Sequence, residues 1–165
     1  MRVYASALAV AGLLASPAFA QDQFDAAFAA YTEALAADCA AFDGGEFDAA
    51  PEAVSKAVDV NGDGRTDPIV DAGAMSCSSS ATLTGGGSGG RDISVFVSQD
   101  DGSYQRYAFL GEGMLPVVLG PSTVLIVPKH GTSCDMVGSA VCFSAYVWAG
   151  DGFVAGGDKV GKAED

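Results

Sequence analysis

The hydrophobic period changes once along this chain, and that change limits the fold more than any other feature. Phe24, Phe28, Tyr31, Leu35, Cys39 and Phe42 recur at spacings of four, three, four, four and three. That is one face of a helix, with alanine filling much of the remainder. Asp22 and Asp25 stand where the helix is expected to begin, the end at which carboxylates suit the backbone dipole. Gly44-Gly45 are expected to stop it. Cys39 falls on the apolar stripe, which directs its sulfur at the core, and the aromatic stripe itself reads as packing. From Val54 onward the period is two. Ile93–Ser98, the turn residues Asp101-Gly102 and Tyr104–Leu110 read as a hairpin. Met114–Leu119 and Ser122–Val127 flank Gly120-Pro121, and Val141–Trp148 and Phe153–Val154 flank Gly150-Asp151-Gly152. The expectation is an α+β fold, an N-terminal amphipathic helix packed on an antiparallel, meander-like sheet. It forms a single domain over residues 21–158, with a small, charged tail at 159–165 that frays.

The first twenty residues obey another logic. Arg2 precedes a short apolar run, and Ala18-Phe19-Ala20 places small residues where a signal peptidase reads them. Residues 1–20 are therefore expected to be a signal peptide of bacterial type. No run in the chain is long enough to span a membrane, and a periplasmic or extracellular location follows. The chain carries a net charge of −13, which becomes −14 when residues 1–20, with Arg2 and no acid, are removed. Such acidity argues against nucleic acid and against anionic membrane surfaces. It suits a solvated protein, or one with divalent counterions. A monomer is expected.

Four cysteines in an exported chain imply two disulfides, for which three pairings exist. Cys39–Cys77 and Cys134–Cys142 are favoured, because seven residues separate the second pair across a loop that flanks a strand. One histidine in the chain leaves little material for a zinc site.

The run Thr84-Gly85-Gly86-Gly87-Ser88-Gly89-Gly90-Arg91 leads into a strand with no Lys-Ser/Thr pair after it. It reads as a mobile loop and a candidate contact surface rather than a phosphate cradle. His130 lies near Ser133, but the Gly-x-Ser-x-Gly elbow of many serine hydrolases is missing, and triad members converge from separate elements. A small hydrolase using His130 with Ser133 or a remote acid is the second reading, behind a non-catalytic module.

The densest chemistry lies in DVNGDGRTDPIVD, Asp59 to Asp71. Counting from Asp59, Asp59, Asn61 and Asp63 occupy positions one, three and five, Gly64 six, Arg65 seven and Asp67 nine. This is the spacing by which a short loop wraps oxygen ligands around calcium, residue seven giving its backbone carbonyl. Val70 replaces the bidentate glutamate of an EF-hand at position twelve. Asp71 is no substitute, since an extended chain carries it about 13 Å beyond Asp67. Asp67 is expected to bind directly, with water or a remote acid completing the shell. Four carboxylates this close repel one another without a cation, so the expected role of calcium is to hold the loop shut.

The loop resembles those of FG-GAP repeats, the calcium sites of integrin-type propellers, and is similar at its start to dockerin loops. In the FG-GAP pattern the ninth-position acid leads straight into an apolar strand, as Asp67 does into Pro68-Ile69-Val70. With one loop and 145 residues after the signal, a propeller is not implied. The chain also resembles small exported bacterial proteins carrying one such loop, a Gly-rich turn and a C-terminal Cys…Cys…Trp-x-Gly segment. In many of those, cysteines flank the Gly-rich turn; Gly85 and Arg91 stand near those places here. The resemblance implies calcium and export. The expected partners are calcium and a protein, peptide or glycan met through loops or a sheet edge.

Overall fold

The computed structural model describes residues 17–156 apart from Ser139. Most of the expected signal segment (1–16) and the tail (159–165) lie outside the described residues. The long helix α1 runs Pro17–Ala41. Its stripe is buried at Phe24 and Cys39 and half-buried at Phe28, Tyr31 and Leu35. Two details differ from expectation. The helix starts before Gln21, so Asp22 and Asp25 are not in its first turn. It also ends before Phe42, which sits in the closing turn and is 53 % exposed. Asp43 and Gly44 there take positive φ, 51° and 70°, the left-handed conformation that commonly closes a helix.

The strands follow in chain order: β1 Phe47–Ala49, β2 Val54–Val58, β3 Asp67–Asp71, β4 Met75–Cys77, then a five-residue helix α2, Ala81–Gly85. β5 Arg91–Ser98, β6 Tyr104–Gly111, β7 Leu115–Leu119, β8 Ser122–His130, β9 Val141–Trp148 and β10 Phe153–Gly156 complete them. All three expected hairpins form, β5–β6, β7–β8 and β9–β10, in antiparallel register. The one sheet expected is divided: β2-β3-β5-β6 form a first four-stranded sheet, β10-β9-β8-β7 a second, and β1-β4 a small ribbon. Both larger sheets keep near-sequential, meandering order. Alternation alone reports that a strand has two faces and is silent about which sheet it joins.

Strand β5 shows why the chain settles into three layers. Ile93, Val95 and Val97 point to one side, where they pack with Val60, Ile69 and Leu125 between the two sheets. Phe96 points to the other and packs with Val70, Met75 and Phe24 under α1. The helix thus covers one face of the first sheet and the second sheet covers the other. Among the described residues Phe96 is the largest fully buried side chain, and truncating such a ring costs about 3–5 kcal/mol.

The disulfides are Cys39–Cys77 and Cys134–Cys142. The first ties the end of α1 to β4, and the second ties the β8–β9 connection to β9. Their sequence separations of 38 and 8 correspond to about 4 and about 2.5 kcal/mol of loop-closure stabilisation. The Gly-rich run is more ordered than a plain loop: it closes α2 and then pairs Gly87 with Gly90 in a tight turn. Among the described residues no helix is long and apolar enough to cross a membrane.

Candidate functional site

The Asp59–Thr66 segment is the connection of the β2–β3 hairpin, entered after Val58 and left at Asp67, two residues that are register partners. Gly62 and Gly64 both take φ of 82°, a conformation glycine adopts without steric cost. These glycines let the chain reverse within the loop, which therefore closes on its own side chains. The Asp59 carboxylate accepts from the Gly62 amide at 2.6 Å and the Gly64 amide at 2.9 Å. Asn61 Oδ1 accepts from the Asp63 amide at 3.0 Å, and Asp63 Oδ1 from the Arg65 amide at 2.8 Å. Each acidic or amide side chain thus folds back on the next turn of its own loop.

Asp67 is anchored differently. It is 0 % exposed, and its two carboxylate oxygens accept from the Val60 amide at 2.8 Å, the Ser98 amide at 2.8 Å and the Ser98 hydroxyl at 3.0 Å. Burial pushes its pKa up, against the lowering effect of those hydrogen bonds, and the nearby charge of Asp63 adds to the rise. At Asp63, burial also acts upward, but hydrogen bonds from Arg65, Ser98 and Asn61 together outweigh it and hold the carboxyl below its usual range. The Arg65 guanidinium reaches Asp63 Oδ2 with Nη2 at 2.7 Å and Nε at 3.0 Å, and donates to the Gln99 carbonyl at 2.7 Å.

Three residues invisible to local reading hold this loop in place. Ser98, at the end of β5, gives its hydroxyl to Asp63 at 2.8 Å as well as to Asp67, and its carbonyl accepts from Asn61 Nδ2 at 2.9 Å. Gln99 receives Arg65. Thr123, from the second sheet, donates to the Asp59 carbonyl at 2.7 Å. Ser98 and Thr123 are buried, whereas in the sequence each is only a hydroxyl residue near the end of an apolar strand.

The structure therefore gathers Asn61, Asp63 and Asp67 around Ser98, while the Asp59 carboxylate faces its own backbone amides. Among the described residues no three Asp, Glu, His or Cys side chains stand close enough to form a metal-binding group as they are arranged. The donor chemistry still fits calcium. Asp59, Asn61, Asp63 and Asp67 offer carboxylate and amide oxygens, the Arg65 carbonyl would be a fifth, and none is nitrogen or sulfur. Asp71 lies at the far end of β3, held by Arg91 at 2.6 and 2.8 Å, as its extended spacing required.

Beside the loop opens a cleft of about 490 Å³ lined by Asn61, Asp63, Asp100, Asp101, Trp148 and Gly150, among others. It joins the loop to the β5–β6 and β9–β10 turns. His130 is elsewhere, the last residue of β8. Its Nδ1 lies 2.9 Å from the Thr132 hydroxyl, and among the described residues no hydrogen bond joins it to Ser133 or to a carboxylate. No family model matches the chain, and no curated protein or solved structure matches it either.

Proposed function

We propose that this is an exported, non-catalytic module whose β2–β3 loop binds calcium, and that the end of the molecule around that loop meets a protein, peptide or glycan. The observation that carries the reading is the alternation of Asp59, Asn61, Asp63 and Asp67 along a hairpin loop bent by two positive-φ glycines. Asp67 supports it further: a fully buried carboxylate whose ionised form this fold disfavours gains from a nearby cation. Calcium would be held by the side-chain oxygens of those four residues and by the Arg65 carbonyl. Its double charge would supply the neutralisation that Arg65 now gives to Asp63 alone. The chemistry of the ion here is electrostatic and structural. Ser98 would keep Asp67 and Asp63 aimed inward, and Thr123 would keep the loop on the second sheet.

Export is supported by the signal-like N-terminus and by two disulfides, which persist in oxidising compartments. The acid- and amide-lined cleft beside the loop, with Trp148 in its wall, offers a polar ligand both hydrogen-bond partners and an aromatic surface.

Titration calorimetry tests the ion. Extracellular calcium modules bind at about 10⁻⁴ to 10⁻³ M, so heat of binding is expected in that range, with little from magnesium. At one hundred times the dissociation constant the folded state gains about 2.7 kcal/mol, seen as a higher melting temperature that a chelator reverses. Absence of binding at millimolar calcium would overturn the proposal.

A further inference from the structure

The second sheet has an outer face that no described element covers. Its register places Val117, Val124, Val147 and Val154 in one row across all four strands. Leu115, Ile126 and Ala145 form the adjacent row. On the alternate positions of β8, Thr123, Leu125 and Val127 are buried against the first sheet, so the valine row faces away from the core. Phe143, opposite Pro128 on that same outer face, is 64 % exposed, and Leu119 and Leu115 at the β7 edge are 59 % and 52 % exposed. No Asp, Glu, Lys or Arg lies on these rows; the first ionisable side chain is His130 at one end, paired with Val141. A monomer rarely leaves a contiguous apolar face of this kind to water.

We propose that this face is a dimer interface, covered by the same face of a second copy of the chain, in place of the monomer expected from the sequence. Two observations select a copy over other occupants. The face is uncharged and apolar, so its complement is another uncharged apolar sheet, and a two-fold axis supplies one without a further partner. The rest of the chain carries −13, so a flat neutral surface is the place where two copies meet with least repulsion. An anionic membrane is disfavoured by that same charge.

The area also suffices. Four strands at about 4.8 Å and five to six residues at about 3.4 Å give a face of about 19 by 19 Å. With side-chain relief, that is on the order of 600 Å² per copy and about 1,200 Å² in all, the lower end of specific interfaces. Two twisted sheets can pack face to face, about 10 Å apart, and within each copy the two sheets already share a core around Leu125.

Sedimentation of the purified full chain at tens of micromolar is the test. The expected mass is twice that of the monomer, and the dimer should strengthen as salt is raised, because screening removes repulsion and leaves the apolar contact intact. Phe143→Glu and Val154→Glu, both on exposed positions, should each return the protein to the monomer with an unchanged melting transition measured in a dilute, monomeric sample. A wild type that stays monomeric overturns the proposal. So does a dimer that survives both substitutions, or that dissociates as salt rises. A monomer that floats with neutral phospholipid vesicles also overturns it and assigns the face to lipid.

Discussion

Removing the Asp67 carboxylate tests whether this loop is held by its buried acid irrespective of any ion. In Asp67→Ala the amides of Val60 and Ser98, which donate to the carboxylate at 2.8 Å each, lose their acceptor at a fully buried position. A buried donor left unsatisfied costs about 1–3 kcal/mol, so the two together cost about 2–6 kcal/mol. The substitution also removes a carboxylate whose burial opposes its ionisation, and the Ser98 hydroxyl keeps Asp63 as acceptor. The net loss is expected near 2–4 kcal/mol. For a chain of this length each kcal/mol moves the midpoint by about 2–4 °C, giving a fall of roughly 5–15 °C. Asp67→Asn, with one acceptor oxygen in the same volume, should lose about half as much. Asp63→Ala is the comparison. Its pair with Arg65 is partly exposed on both sides, and such pairs contribute about 0.2–1 kcal/mol. Calorimetric melting in chelator reads all three. If Asp67→Ala melts within about 2 °C of wild type, or if Asp63→Ala is the more damaging change, the assignment of Asp67 as the anchor of the hairpin fails.

With calcium added, Asp63→Ala should abolish the rise in melting temperature, whereas Asp71→Ala should lower the baseline by losing Arg91 yet keep the calcium response; titrations of both variants compare them directly. Peptide mapping of the non-reduced protein should return the Cys39–Cys77 and Cys134–Cys142 pairs and no other, and replacing Cys134 and Cys142 by Ser should cost at most about 2.5 kcal/mol against about 4 for the longer loop. Burial, and then the charge of Asp92, pushes the Tyr31 phenol up to about 12, partly opposed by Arg106 over its ring. The folded chain therefore keeps a proton that the unfolded chain releases above about pH 10. Stability from this group is whole below pH 10 and lost as pH climbs through about 12. Tyr31→Phe should flatten that alkaline decline in denaturant melts.

Much of this protein is determined locally, and local features are what a sequence displays. The spacing of Phe24, Phe28, Tyr31 and Leu35 made one helix face, because 3.6 residues per turn is a property of the backbone alone. The three hairpins were legible at Asp101-Gly102, Gly120-Pro121 and Gly150-Asp151-Gly152, since turn residues act on their own φ and ψ. The alternation of Asp59, Asn61, Asp63 and Asp67 marked the candidate loop for the same reason: its hydrogen bonds run mostly within eight residues. Tertiary structure decided everything that depends on which surfaces meet. It split the strands into two four-stranded sheets and a ribbon, and brought Ser98 and Thr123 from 31 and 64 residues away onto Asp67 and Asp59. It also left the Val117–Val124–Val147–Val154 row uncovered. Val124-Leu125-Ile126-Val127 is apolar on both faces, and such a run does not record which face a neighbouring sheet covers, because that contact is made by residues far along the chain.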